Sequence, residues 1–454
     1  MSRRPRIAIV GGGPAGSLLA ILLARRKLAP LVIERSESFS AAVQGGRSIN
    51  LALAARGIEA LRSAGIDRDV GELMIPMRGR MLHDARGTQR FLRYGQRRHE
   101  EIYSVSRAAL TALLQRLATD RYGVEYRFGH RCVDVDLKTG APIVESADGR
   151  RALDADVVLA CDGAGSEVRR ALVEGGAIEA TEELLDHGYK ELTIPPGAHP
   201  GSQIGDFALD PKALHIWPRG GFMLIALPNP DKSFTATLFL PHTGASSFAS
   251  ATAGTAGDFF AREFPDALAL MPDLDAEYTS HPTGILGTVY CKPWSFGGRL
   301  LLVGDAAHAI VPFHGQGMNA AFEDCIVLDG LIGEHTKASS CDWPTVFERF
   351  EESRAPNTRA IAEMAIENYR EMRDEVRDAK FQLRAQLSFE LERRFPGKFI
   401  PRYSMVMFHP EIPYAEAQRR GAVQLRILRE LTAQVDALRG VDFARAAELI
   451  ATDL

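Results

Sequence analysis

The sequence predicts an α/β domain interrupted by an antiparallel β domain and followed by C-terminal helices. Three observations predict it. A short apolar run, Arg6 to Val10, leads into Gly11-Gly12-Gly13-Pro14-Ala15-Gly16 and then into a leucine-rich stretch. Between about 203 and 290 the pattern changes to short alternating runs separated by Arg219-Gly220-Gly221 and Asn229-Pro230-Asp231, which is the signature of hairpins. From about 345 onward the chain is charge-laced at a helical period.

Taken in order, Arg6 to Val10 is a strand and Pro14 to Arg26 a helix whose Leu18, Leu19, Leu22 and Leu23 share one face. Leu31 to Glu34 is a second strand. Strand, glycine loop, helix and strand make a right-handed βαβ unit and a parallel sheet of Rossmann type. Residues 77 to 94 read as a hairpin turning near Asp84 to Gly87, Ala109 to Ala118 as a helix, and Asp156 to Ala160 as a buried strand ending at Cys161-Asp162-Gly163. Thr193 to Ser202, with three prolines and two glycines, reads as a linker. Ala213 to Pro218, Phe222 to Pro228 and Phe234 to Leu240 form an antiparallel meander, and Ala245 to Gly257 a surface loop. Parallel-sheet grammar returns at Arg299 to Val303, before Gly304-Asp305. The expected layout is a discontinuous nucleotide-binding domain over 1–180 with a small hairpin near 77–94, an antiparallel β domain over 181–290, a return to the first domain and a long helix over 291–375, and a helical region over 376–454.

Composition excludes several classes. Of 454 residues, 46% are hydrophobic and 25% charged, with a net charge of −4. No basic field argues for nucleic acid or an anionic membrane. No apolar window of about 18 residues argues for a membrane helix, and no signal peptide is read at the N-terminus. The five cysteines are scattered, without CxxC spacing, and are expected as free thiols in a cytoplasmic protein. The 12 histidines form no ligand-spaced cluster, so no metal is expected.

Gly11-x-Gly13-x-x-Gly16 carries the first chemistry. Gly11 permits the tight turn, Gly13 lets the backbone approach a pyrophosphate, and Gly16 lets helix and strand pack closely. Free N–H groups at the helix start favour the anion. Glu34, 18 residues after Gly16, can accept from ribose hydroxyls. Nothing in this loop distinguishes NAD from FAD. Two further segments bear on that choice: Cys161-Asp162-Gly163 through Arg169, and Gly304-Asp305-Ala306-Ala307-His308 running on to Pro312 through Asn319. Aspartate after a strand can accept from a sugar-like hydroxyl, and a glycine turn opening a helix can aim N–H groups at the edge of a flavin.

These three motifs, in this order, resemble the class A flavoprotein aromatic hydroxylases of the para-hydroxybenzoate hydroxylase type, over about residues 6 to 330. The resemblance implies an FAD domain with an inserted substrate-binding β-sheet. It implies that Gly11, Gly13, Ala15, Gly16, Glu34 and Arg35 hold the ADP half of FAD, that Ala52 and Arg107 reach the cofactor, and that Asp305, Gly317, Met318 and Asn319 hold its ribityl chain and ring. There is no second GxGxxG, and the family takes NADPH transiently without one.

A second set of segments narrows the family. Gly46 to Leu53, Met77 to Met81, His187 to Leu192, Ala213 to Pro218, Phe234 to Leu240, Glu367 to Met372 and Ile400 to Val406 together resemble the kynurenine 3-monooxygenases over almost the whole chain. That resemblance implies hydroxylation of L-kynurenine to 3-hydroxy-L-kynurenine with O2 and NADPH through a flavin hydroperoxide, with no protein acid–base pair. A carboxylate entering an apolar pocket needs a cationic fork. By resemblance that residue is Arg80, with Tyr94 and Tyr403 as hydroxyl donors, Asn368 as a polar contact, and Phe239, Phe313, His314 and Met372 as further lining. Met364, Asn368 and Met372 are spaced by four and so share one helix face. The alternative is a sister hydroxylase acting on a substituted kynurenine or a tryptophan-derived precursor. The expected protein is a monomer or homodimer with no membrane anchor.

Overall fold

A computed structural model describes residues 5–38, 50–197, 206–337, 340–373 and 378–454. The chain forms two compact units, each assembled from three segments. The first comprises Met1–Met74, Val105–Leu184 and Gly287–Ala362; the second comprises Ile75–Ser104, Leu185–Leu286 and Glu363–Leu454.

The first unit is built on a six-stranded sheet. Its order is Ser295–Phe296, Leu300–Leu302, Val157–Ala160, Ile7–Val10, Pro30–Ile33, Glu125–Arg127. The five strands from Leu300–Leu302 onward are parallel, and Ser295–Phe296 adds an antiparallel edge. Ile7–Val10, Val157–Ala160 and Leu300–Leu302 are buried at every position, which is why they read as continuous apolar runs. Pro30 opens its strand, a position that a residue lacking an N–H tolerates. The helix Pro14–Arg25 follows the glycine loop, with proline in its first turn, and buries eight consecutive residues from Gly16 to Leu23.

A buried charge cluster ties this unit's helices together. Asp324, on the helix Gly317–His335, accepts from Gly304 N at 3.0 Å, His308 Nε2 at 2.6 Å and Arg354 Nε at 2.6 Å. Glu323 accepts from Arg354 Nη1 at 2.7 Å and Arg56 Nη1 at 2.6 Å. Burial pushes the Asp324 carboxyl up, but His308 and Arg354 outweigh it and hold it below the usual carboxylate range.

The second unit carries a seven-stranded sheet in the order Gly284–Lys292, Glu179–Ile194, Phe234–Pro241, Met223–Pro228, Ala213–Pro218, Gly79–His83, Gln89–Arg93. The meander is antiparallel, but Ala213–Pro218 pairs parallel to Gly79–His83, with Leu214 opposite Arg80. This joins the 77–94 hairpin, turning at Asp84–Thr88, to the meander. One face of the sheet is covered by the helices Ala256–Glu263, Pro265–Leu268 and Leu274–Ser280, through Trp217, Leu224, Phe234, Leu238, Phe259, Phe260 and Phe264. Each such aromatic side chain contributes roughly 1.5–3 kcal/mol of burial. The C-terminal helices Ala379–Arg394, Tyr414–Thr432 and Phe443–Asp453 share a second core around Leu387, Leu391, Ile427, Leu431 and Ile450.

Two expectations are refined. Ala245–Gly257 is an irregular and mostly exposed segment, as expected, but it is anchored at three buried positions. Ser247, Ala251 and Ala256 are fully buried, and the alanines belong to the core under the sheet. Its serine and threonine hydroxyls satisfy the local backbone, as in Ser247 Oγ to Gly244 O at 2.7 Å and Ser250 Oγ to Ala245 O at 2.9 Å. Small side chains at those three positions allow close approach, while most of the others are exposed. In the linker expected at Thr193–Ser202, Thr193 and Ile194 instead finish a strand, paired with Thr235 and Phe234; residues 198–202 lie outside the described residues.

Removing Asp324 leaves Arg354 Nε, His308 Nε2 and Gly304 N without their acceptor, although Glu323 still holds Arg354 Nη1, and breaking a buried pair costs up to about 3–5 kcal/mol. Asp324→Ala is therefore expected to lower the thermal midpoint of unfolding by several degrees. Because the folded carboxyl is held low, its stabilisation is present above the ordinary carboxylate range and is lost as pH falls through the folded value. The difference in midpoint between the parent and Asp324→Ala should thus shrink on acidification, as read by calorimetry across pH.

Candidate functional site

In the first unit the glycine loop has three different reasons for its glycines. Gly11 has φ +96°, and an added Cβ would lie 2.5 Å from Cys161 O. A Cβ on Gly16 would lie 2.0 Å from Gly11 O, so helix and loop touch there. A Cβ on Gly13 would meet nothing within 4 Å. Packing explains Gly11 and Gly16 but not Gly13, whose open side suits a group that approaches the backbone. Ser17 N is bonded to Gly13 O, which leaves the N–H groups of Ala15 and Gly16 in the helix's first turn without a helical acceptor.

Glu34 stands beside this loop. Its Oε2 accepts from Gly12 N at 2.7 Å, and its Oε1 accepts from Ser36 N and Ser36 Oγ, both at 2.8 Å. Three donors on a carboxylate with about four acceptor positions leave one for a ribose hydroxyl. Arg35 is exposed at the same strand end. Asp162, in the second motif, accepts from Ser166 Oγ at 2.6 Å and Val168 N at 3.2 Å, so it braces the start of the helix Glu167–Glu174.

Asp305 follows Gly304, whose φ of +63° and ψ of −140° suit glycine. A Cβ built on Gly304 lies 3.8 Å from Ala15 Cβ, and one on Gly317 lies 3.9 Å from Asp305 Oδ1. The glycine-loop helix, Asp305 and the start of the helix Gly317–His335 therefore converge. Burial pushes the Asp305 carboxyl up, with the Arg107 charge among the groups opposing it. Arg107 itself opens the helix Arg107–Arg116 and is exposed. Gly317, Met318 and Asn319 form the first turn of their helix, and the first helical bond runs from Ala320 N to Gln316 O at 2.8 Å. Their three N–H groups are free for an acceptor.

The side chain of Asn319 has a different task from the one expected. Its Oδ1 accepts from Ala54 N at 2.9 Å, and its Nδ2 donates to Ala52 O and Gly315 O, both at 2.8 Å. It is fully engaged by protein, so it braces the strand Asn50–Leu53 and the Gly315 turn, and only its backbone N–H faces outward. Ala52 is held through its carbonyl. Phe313 and His314, on the short 3-10 turn Pro312–His314, are both buried in this unit.

In the second unit Arg80 sits in the strand Gly79–His83 against a stacked pair of aromatic rings. Its Cζ is 4.8 Å from the Tyr403 ring centroid and 5.6 Å from that of Tyr94. The two rings lie 5.6 Å apart and nearly parallel at 13°. Tyr94 follows the strand Gln89–Arg93, and Tyr403 lies on the helix Arg402–Phe408. Ring faces stabilise a guanidinium, but among the described residues no carboxylate pairs with Arg80, and its Nε and the Tyr94 hydroxyl are buried without a hydrogen-bond partner. Glu371, whose charge reaches Arg80, is bonded to Arg402 Nη2 at 2.9 Å, and Arg402 Nη1 takes Glu367 at 2.5 Å. Burial pushes both phenols up, Tyr94 well above its ordinary value, so both remain neutral hydroxyls.

Met364, Asn368 and Met372 do share a buried face of the helix Trp343–Arg373, where Asn368 Nδ2 lies 3.2 Å from Met372 Sδ. Phe239 is buried in the sheet with its ring centroid 6.4 Å from that of Tyr189. The structure thus brings Arg80, Tyr94 and Tyr403 into one cluster, and groups the cofactor-side residues and Phe313 and His314 in the other unit. Arg402 was missed by sequence reasoning. It ties the Tyr403 helix to Glu367 and Glu371, and it lies over Gly421, where a Cβ would come within 2.3 Å of Arg402 Cδ. The acidic pair at i and i+4 was the signal available.

Among the described residues no helix is long and apolar enough to cross a membrane, and no group of three His, Cys, Asp or Glu residues could hold a metal ion.

The N–H groups after Gly13, the Asp305 carboxyl and the N–H groups of Gly317–Asn319 fit the parts of a flavin dinucleotide, and the comparisons agree. The family described as "FAD binding domain" matches residues 4–365. A kynurenine 3-monooxygenase of Myxococcus xanthus is 46% identical, covering 100% of this chain and 96% of the relative. One from Dictyostelium discoideum is 42% identical, covering 98% and 97%. Two solved structures share the fold. The tetrameric form of 2-methyl-3-hydroxypyridine-5-carboxylic acid oxygenase has a TM-score of 0.66 at 18% identity, covering 94% of this chain and 98% of its own. The p-nitrophenol 4-monooxygenase PnpA from Pseudomonas putida DLL-E4 has a TM-score of 0.67 at 17% identity, covering 86% and 94%. With relatives this similar along its full length, and the flavin-binding family spanning most of it, the chain belongs to the FAD-binding kynurenine 3-monooxygenases.

Proposed function

We propose that this protein uses FAD, NADPH and O2 to hydroxylate L-kynurenine to 3-hydroxy-L-kynurenine. The observation that carries the reading is the partly buried Arg80 guanidinium, packed against the stacked rings of Tyr94 and Tyr403 and lacking a carboxylate partner among the described residues. A desolvated cation with an idle buried N–H is a costly arrangement unless an anion completes it. The amino-acid end of kynurenine supplies that anion, and the Tyr94 hydroxyl supplies a second donor.

FAD, when bound, supplies reduction by NADPH and the activation of O2. The chain's own part is to bind, orient and exclude water. Gly13, Ala15 and Gly16 hold the pyrophosphate, with Glu34 and Arg35 on the adenosine side. Asp305 accepts from the ribityl chain, and the N–H groups of Gly317, Met318 and Asn319 meet the ring edge, with Arg107 and Ala52 beside them. Arg80, Tyr94 and Tyr403 fix the substrate carboxylate, with Phe239, Asn368 and Met372 of the same unit as further lining. The free thiols at all five cysteines support a cytoplasmic setting, and we read the protein as a monomer or homodimer.

Three outcomes are expected. Purified protein given FAD, NADPH, oxygen and L-kynurenine should form 3-hydroxykynurenine; NADPH oxidation without that product sinks the substrate assignment, and a substituted-kynurenine panel then identifies a sister activity. Arg80→Ala should weaken L-kynurenine binding by about 2–4 kcal/mol, thirtyfold or more, with bound FAD unchanged; equal dissociation constants refute the anchor. Gly13→Val should leave circular dichroism and thermal midpoint near the parent, since its Cβ meets no protein atom, yet strip the yellow cofactor from the protein. Normal flavin content in that variant removes Gly13 from the cofactor site.

A further inference from the structure

A second histidine system lies in the strand that carries Arg80. His83 Nδ1 is 3.0 Å from Asp266 Oδ2, His83 Nε2 is 2.9 Å from His215 Nδ1, and His215 Nε2 is 2.9 Å from the backbone carbonyl of Asp210. Trp217 Nε1 donates to the same Asp266 oxygen at 2.8 Å and stacks on His83 at 4.0 Å and 22°. Both imidazoles are 1% exposed.

The protons in this chain can be counted. A carbonyl only accepts, so His215 Nε2 carries a hydrogen. Burial pushes His215 down to about 3, so it is neutral and its Nδ1 is a bare acceptor. His83 Nε2 must therefore carry a hydrogen to reach it. The remaining contact, His83 Nδ1 to Asp266 Oδ2, joins two atoms that both lack a proton unless one more is supplied. Three contacts need three protons, and two neutral imidazoles bring two. The Asp266 carboxylate balances the third. Burial pushes Asp266 up, yet the His83 and Trp217 contacts outweigh it and keep its carboxyl below the usual range.

We propose that His83, His215 and Asp266 form a buried chain holding one extra proton, and that this chain is a positioning device for Arg80. The strand Gly79–His83 alternates faces. Arg80 points to one side, and His83 fastens the strand from the other to the helix Pro265–Leu268 and the strand Ala213–Pro218, where Leu214 is opposite Arg80. When the third proton leaves, one contact has no donor and two acceptors face each other, which loosens the strand. The chain is therefore intact while it holds the third proton and loosens when that proton is lost. Other charged groups around it are engaged elsewhere. Arg219 donates to His83 O and Glu263 O, Glu263 takes Arg262, the Asp84 carboxylate accepts from Arg86 N and Thr88 N, and the Asp210 carboxylate accepts from Lys212 N. Arg90 and Arg93 on the neighbouring strand are exposed.

This role rests on Arg80 as the carboxylate anchor, so the test separates the two. Nitrogen NMR of 15N-histidine-labelled protein reads the protons directly and needs no substrate. At pH 7 a hydrogen on both nitrogens of His83, or one on His83 Nε2 with the Asp266 carboxyl protonated, supports the count; a bare His83 Nε2, or a bare His83 Nδ1 beside an ionised Asp266, overturns it. L-Kynurenine binding is then titrated across pH. The parent should lose about tenfold in affinity as the third proton leaves, the scale of one hydrogen bond to a charged group, with kcat at saturating substrate little changed. Asp266→Asn should bind about tenfold more weakly at pH 7 and lose that pH step, and Asp266→Glu should recover part of both. A parent without the step, or an Asp266→Asn that keeps it, overturns the positioning role. If Arg80→Ala binds L-kynurenine as the parent does, the anchor reading fails and the positioning role with it, while the NMR result still decides the proton count.

Discussion

The second unit is organised around one electrostatic constraint: a guanidinium held largely out of water against two ring faces, with no carboxylate paired to it among the described residues. Arg80 is tolerated there because Tyr94 and Tyr403 stabilise its charge over their faces, and because its stem is fixed in a strand paired on both edges. The elements around it serve that arrangement. Arg402 takes Glu367 and Glu371, so the two acids nearest in sequence to Asn368 have a cation of their own. The same ion pairs fix the helix that presents Tyr403. On the proposed reading, the substrate's carboxylate completes a charge balance that the described residues leave open.

The first unit solves the complementary problem of holding an anionic, hydroxyl-rich cofactor with few side chains. Backbone does most of it. Two helix starts offer free N–H groups, and the glycines keep side chains away from them. Side chains then hold the backbone: Asn319 clasps Ala52, Ala54 and Gly315, and Asp324 clamps Gly304 N and His308 on either side of Asp305. The ion cluster from Arg56 to Arg354 is thus at once a stability element and the foundation of the Gly304–Asp305 turn.

What the sequence made legible was local. Gly11, Gly13 and Gly16 declare a turn because the turn's backbone demands them within six residues, and the meander from Ala213 to Leu240 is written in alternation and turn residues. The fold class followed from these. What stayed hidden was long-range. Nothing near Asn319 says that its amide would be used up by a strand 267 positions away in the chain. Ala245–Gly257 has the composition of a loop and is mostly exposed, and nothing in that composition marks Ala251 and Ala256 as part of the core. Asp324, His308 and Arg354 are unremarkable on a helical wheel, as are His83 and His215, 132 residues apart. The Arg80 cluster was reached through family resemblance, since an arginine in a short strand carries no signal of its own.

The central claim is that Arg80 waits for a carboxylate. Calorimetric titration of the FAD-loaded protein with L-kynurenine and with its decarboxylated amine isolates that group while keeping the aromatic ring constant. The account predicts that the amine binds more weakly by more than about tenfold, with the difference abolished in Arg80→Ala. Equal affinity of the two ligands for the parent protein would contradict it.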